Sequence, residues 1–164
     1  MGIFLRITVA ILALDQLTKW VVVQMMDLQS RGEIDVLPPL LNFRMAWNRG
    51  INFGLFAGDA DVMRWILITV ALAISLWVIW WIYSDGAPKG MAVSGGFLVG
   101  GALGNVVDRL YYGAVADFLN MSCCGIENPY VFNVADIAIF IGAAGLVLFT
   151  GKTGRKPKAK KKTP

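Results

Sequence analysis

The chain has 164 residues, enough for one domain, and 57% of them are apolar while 16% are charged. Water-soluble domains hold roughly 45–50% apolar residues even with glycine counted, so an ordinary soluble fold is excluded. The net charge is +4 and histidine is absent, which removes Ser-His and Cys-His nucleophile systems and most zinc sites.

The sequence predicts an all-α membrane protein with four transmembrane helices, at about residues 3–26, 65–83, 91–111 and 131–150. Each supplies the ~20 residues needed to cross a ~30 Å hydrocarbon core. The first is interrupted by Asp15 and Lys19, and no small-x-small cleavage site follows, so it reads as a retained helix rather than a secretory leader. That i, i+4 pair is either a neutralised structural bridge or part of a site.

The loop 27–64 comes next. Its stretch GEIDVLPPLLNFRMAWNRGINFGLFAGDA alternates and is punctuated by Pro38, Pro39, Gly50, Gly54 and Gly58, which predicts short strands and turns. Trp47, Phe53 and Phe56 give it apolar surface to rest on the outer leaflet. The second span, WILITVALAISLWVIWWIY, carries no charge and ends in Trp80, Trp81 and Tyr83, an interfacial aromatic belt.

In the third span Gly96, Gly100 and Gly104 recur every four residues, a stripe that lets another helix approach. Its apolar part stops at Leu103, so Asn105, Asp108 and Arg109 fall at the outer end of the helix, on one face. Asp117 follows a few residues later. Asp136 is expected about one and a half turns into the fourth helix, at similar depth, with Asn133 on its face. The adjacent Cys123 and Cys124 have no CxxC or metal-ligand spacing, and a bridge between neighbours is strained.

Ionisable groups in a bilayer are costly and usually functional. Two carboxylates in one site share a proton, because both cannot comfortably ionise. Such a pair can take a proton from water as it attacks an amide, and polarise the carbonyl from the other side. The plainer alternatives are that Asp117 caps a turn and that Arg109 neutralises Asp108.

The tail, residues 152–164, holds seven Lys or Arg and no acid, and is expected to be disordered. By the positive-inside tendency it lies in the cytoplasm, as do Arg6 and Lys89. Both termini then share that side, and loop 27–64 faces out despite Arg31, Arg44, Arg49 and Arg64. Contact with anionic membrane lipid suits the tail better than nucleic acid, which would want aromatics or a folded patch.

Five motifs in order resemble those of the bacterial lipoprotein signal peptidases, or signal peptidase II: DQLTK at 15–19, NRGINFG at 48–54, GNVVDR at 104–109, VADF at 115–118 and FNVAD at 132–136. The resemblance covers most of the chain. It implies a single aspartic endopeptidase domain over residues 1–151, with a small extracytoplasmic β-cradle on four helices in the bacterial inner membrane. Its site would face the periplasmic side and need no cofactor or metal. It would cut diacylglyceryl-modified prolipoproteins just before the lipidated cysteine. Asp117 and Asp136 would be the catalytic dyad. Asn48, Gly50, Gly104, Asn105, Asp108, Arg109 and Asn133 would bind substrate or hold the dyad, supported by Asp15 and Lys19. Asn52 and the segment SCCGIENPY depart from the family pattern. A monomer is the default expectation. Two other readings compete: a small proton-coupled transporter using Asp15, Asp108 and Asp136, and a non-enzymatic scaffold that associates through the glycine stripe.

Overall fold

A computed structural model describes residues 2–50, 60–84, 86–122 and 128–153. Phe53, Phe56, Asn52, Cys123, Cys124 and most of the tail lie outside the described residues. The elements run α1 (Gly2–Lys19), α2 (Leu28–Arg31), β1 (Glu33–Leu37), β2 (Leu41–Asn48), α3 (Ala60–Ser84), α4 (Lys89–Tyr112), β3 (Val115–Asn120) and α5 (Val134–Thr153). Past Lys19 the first helix continues as π-type turns, Trp20–Met25. Three helical stretches among the described residues are long and apolar enough to cross a membrane: Gly2–Met25, Asp61–Ser84 and Lys89–Tyr112. The apolar stretch Val134–Thr150 is shorter.

α4 is the central helix, and its glycines explain why. A methyl group on Gly96 would stand 2.9 Å from the Phe4 carbonyl oxygen, and one on Gly100 2.8 Å from that of Thr8. Both distances are below any normal carbon–oxygen contact, so the α1 backbone seats directly on this stripe. Gly95 makes the same concession to Ile82 of α3, and Gly101 to the Ala135 carbonyl of α5. With little hydrophobic force between helices in lipid, such close backbone approach supplies the dispersion contact that holds the bundle. Large apolar side chains such as Leu5, Leu76, Trp80, Phe140 and Val147 point outward, as a lipid-facing surface requires.

The strands expected in loop 27–64 are present as the hairpin β1–β2. The third helix of the chain, α3, begins at Ala60, earlier than its hydropathy suggests, which shortens the loop. β3 is an addition to the expected elements. It pairs antiparallel with β2, giving sheet order β1-β2-β3, with Ala46 opposite Asp117 and Trp47 opposite Ala116. Because side chains alternate across a strand, Ala46, Asn48 and Asp117 share one face, and Trp47 and Ala116 the other. Ala116 and Phe118 bury against Val22 and Val23 at the end of the first helix and against Leu28 of α2. The sheet is thereby fixed on the bundle.

Candidate active site

Asp117 stands on β3 and is 3% exposed. Asp136 is the third residue of α5, not one and a half turns inside it. The physical reason is a cap. Asn133 Oδ1 accepts from the Asp136 N–H at 2.9 Å, and Asp136 Oδ2 accepts from the Asn133 N–H at 3.3 Å. This reciprocal capping box starts the helix at Val134. It leaves the Asp136 carboxyl at a helix N-terminus, where negative charge is favoured.

Fully buried Asn133 also joins the two aspartates: its Nδ2 donates to Asp117 Oδ1 at 2.6 Å. Asn105 closes the ring, donating from Nδ2 to Asp136 Oδ1 at 2.9 Å and accepting from Asn133 Nδ2 at 3.3 Å. On the other side Asn48 Nδ2 donates to Asp117 Oδ2 at 3.1 Å. The Asn48 amide is aimed by the Gly50 N–H, which donates to Asn48 Oδ1 at 3.0 Å. Gly50 reaches that position with φ +106, and a methyl group there would stand 2.6 Å from Leu67 Cδ1. Only glycine meets both demands. Burial, and next the charge of Asp136, push the Asp117 carboxyl up from 3.8 to about 6, against the opposing hydrogen bonds from Asn48 and Asn133.

Beneath this ring lies a buried ionic cluster. Lys19 Nζ is 2.8 Å from Asp15 Oδ2 and 2.7 Å from Asp108 Oδ2, so Asp108 is paired with Lys19 rather than with Arg109. Asp15 Oδ1 accepts from the Ala135 N–H at 2.9 Å, and Asp108 Oδ2 accepts from the Ala116 N–H at 3.0 Å. Each supported N–H belongs to the residue just before a site aspartate, within the same tripeptide Val-Ala-Asp at 115–117 and 134–136. One lysine therefore ties together the two backbone segments that carry the pair. A side chain at Gly104 would intrude here, with its Cβ 2.5 Å from Asp15 Oδ2.

Gln16 is the residue sequence reasoning missed. Its Nε2 donates to Asp108 Oδ1 at 3.0 Å and to Asp15 Oδ2 at 3.1 Å. Its signal was a polar side chain beside Asp15 in an otherwise apolar helix. Arg109 Nη1 donates to the Asn105 carbonyl at 3.3 Å, and its buried Nε has no partner among the described residues. The guanidinium is within electrostatic reach of Asp136, Asp108 and Asp117. All eleven residues expected at the site are thus gathered at the end of the bundle that carries the sheet.

The fold and site together define a helical membrane protein with two coupled carboxylates between a small sheet and a helix N-terminus. The sequence model of the signal peptidase (SPase) II family matches residues 7–151. A lipoprotein signal peptidase of Methylobacterium sp. (strain 4-46) is 41% identical over 86% of this chain and 84% of its own length. One from Alteromonas mediterranea is 39% identical over 93% and 82%. A solved bacterial membrane enzyme superposes with TM-score 0.75 at 27% identity, covering 96% of this chain and 93% of the other. The chain belongs to the signal peptidase II family, and is a membrane-embedded protease.

Proposed function

We propose that the protein removes signal peptides from prolipoproteins by aspartic catalysis, with Asp117 and Asp136 as the dyad, cutting on the N-terminal side of a diacylglyceryl-modified cysteine. The observation that carries this reading is the pair itself: buried Asp117 and half-buried Asp136, joined through one asparagine. Asp136 accepts hydrogen bonds at a helix N-terminus and serves as the ionised base that draws a proton from water. Asp117, raised to about 6, carries the proton that polarises the scissile carbonyl and then passes to the leaving nitrogen. Arg109, with a buried N–H to spare, is suited to a substrate carbonyl.

In this reading residues 1–151 form the peptidase unit. α5 is the fourth crossing, since its 20 residues rise roughly 30 Å. Both termini are cytoplasmic, and the sheet faces the periplasmic side. The names of the relatives support the substrate class. The decisive experiment incubates purified protein with a diacylglyceryl-modified precursor and its unmodified form, then weighs the products. Cleavage of the modified form only, before the lipidated cysteine, is expected. Equal cleavage of both, or a cut elsewhere, would overturn the reading.

The active pair holds one proton, so activity should fall as pH rises through the Asp117 value of about 6 in the free enzyme. The Asn48 hydrogen bond favours the ionised form. Asn48→Ala should therefore move the alkaline limb of kcat/KM to higher pH, and a shift to lower pH would contradict the assignment of the proton to Asp117.

A further inference from the structure

A cavity of about 500 Å³, lined by both polar and apolar groups, opens on the sheet face opposite Asp117. Arg49, Arg64, Gln29, Trp47, Tyr112 and Asp61 line it. Trp47 and Tyr112 pack ring to ring at 5.2 Å and make its apolar wall. Arg64 lies over the Trp65 ring at 5.2 Å, its Nη1 is a long 3.5 Å from Asp61 Oδ1, and its buried Nε has no partner among the described residues. Among the described residues two guanidiniums against one carboxylate leave the lining cationic, and a guanidinium carries its donors in a fork that suits phosphate.

Asp61 also borders a second depression of about 450 Å³, lined by Val62, Trp65, Ile66 and Val70 along the membrane-facing side of α3. Its surface is apolar and runs down the helix from the cationic cavity. A charged cup above an apolar groove, with Asp61 at the junction and Trp47, Tyr112 and Trp65 to either side of it, has the amphipathic layout of a membrane interface.

The geometry points to a binding site for an anionic glycerophospholipid, separate from the catalytic pair. Arg49 and Arg64 hold the phosphate, Gln29 and the Tyr112 hydroxyl bind the rest of the headgroup, and one acyl chain lies along Trp65, Ile66 and Val70. The site accounts for two of the four arginines that run against the positive-inside tendency in segment 27–64. It stands whether or not the chain cleaves a precursor, because its readout is binding.

Native mass spectrometry of the delipidated full chain in detergent tests it, with dioleoylphosphatidylglycerol, dioleoylphosphatidylcholine and glycerol 3-phosphate as probes. Phosphatidylglycerol should be retained at least about tenfold more tightly than phosphatidylcholine, with little retention of glycerol 3-phosphate. Arg49→Gln and Arg64→Gln should each erase most of that preference, while Arg44→Gln, on the same sheet but outside the cavity, should keep it. Arg49 is solvent-exposed, so its variant remains informative if Arg64→Gln fails to fold. Equal retention of the two lipids, or an unchanged preference in Arg49→Gln, would overturn the site. Glycerol 3-phosphate binding as tightly as the lipid would overturn the acyl-chain half and leave a plain anion site.

Discussion

Asp117→Asn and Asp136→Asn are each expected to lower cleavage of a diacylglyceryl-modified precursor by on the order of 10³-fold or more, with the protein still folded and inserted. The double variant should be little worse than either single one, because members of one catalytic unit fail together rather than additively. Asparagine fills the same space, so the loss reports chemistry. In the proposed mechanism Asp117→Asn removes the proton that polarises the carbonyl, and Asp136→Asn removes the base. The folding control has a definite sign. The folded-state value of Asp117 lies above the 3.8 of an exposed carboxyl, so its stabilising share is complete below 3.8 and lost as pH rises through about 6. At pH 8 its ionised form costs the fold up to roughly 3 kcal/mol, and a neutral asparagine escapes that cost while losing one of the two hydrogen bonds Asp117 accepts, a smaller loss of about 1 kcal/mol. Asp117→Asn should thus melt no lower than the parent at pH 8 in detergent. An inactive variant that also melts well below the parent would mean structural damage, and near-parental activity in either single variant would remove the dyad.

The sequence discloses the parts of this molecule that depend on local pattern. Hydropathy marks α1, α3 and α4, because burial in lipid is decided residue by residue. The i, i+4 glycine stripe marks the α1 face of α4, and alternation marks the β1–β2 hairpin. What depends on distant pairing is not marked. Val115–Asn120 reads as a loop after a helix, and becomes β3 only because Ala46 and Trp47 lie opposite Asp117 and Ala116. The partner of Asp108 is equally non-local. Arg109 is its sequence neighbour, yet the ion pair goes to Lys19 on another helix. The depth of Asp136 was readable in principle: Asn-Val-Ala-Asp has the spacing of a capping box, and a helix that starts at Val134 must put Asp136 in its first turn. Motif order singles out Asp117 and Asp136, the pair proposed as the dyad, but the way Asn133 links them needs the folded chain.

Lys19→Met is expected to have the largest effect on stability of any single change in the buried ionic cluster. Lys19 is 5% exposed, and its partners Asp15 and Asp108 are 0% and 1% exposed. Removing the cation leaves two carboxylates facing each other in a dry interior, which costs about 3–5 kcal/mol in comparable buried pairs. A drop in melting temperature of several degrees in detergent should follow, together with loss of cleavage, because the clamps on Ala116 and Ala135 depend on where Asp108 and Asp15 sit. The two effects separate in a neutral triple variant, Asp15→Asn with Lys19→Met and Asp108→Asn. Asparagine Oδ1 can still accept the Ala135 and Ala116 N–H groups, and no uncompensated charge remains, so most of the lost melting temperature should return. If the charges matter only by holding those two backbone segments, cleavage should recover with it. Recovery of stability without cleavage would instead mean that the Lys19 charge acts on the dyad electrostatically, which its lowering influence on Asp117 allows. A Lys19→Met protein as stable as the parent would show that the cluster does not anchor the site.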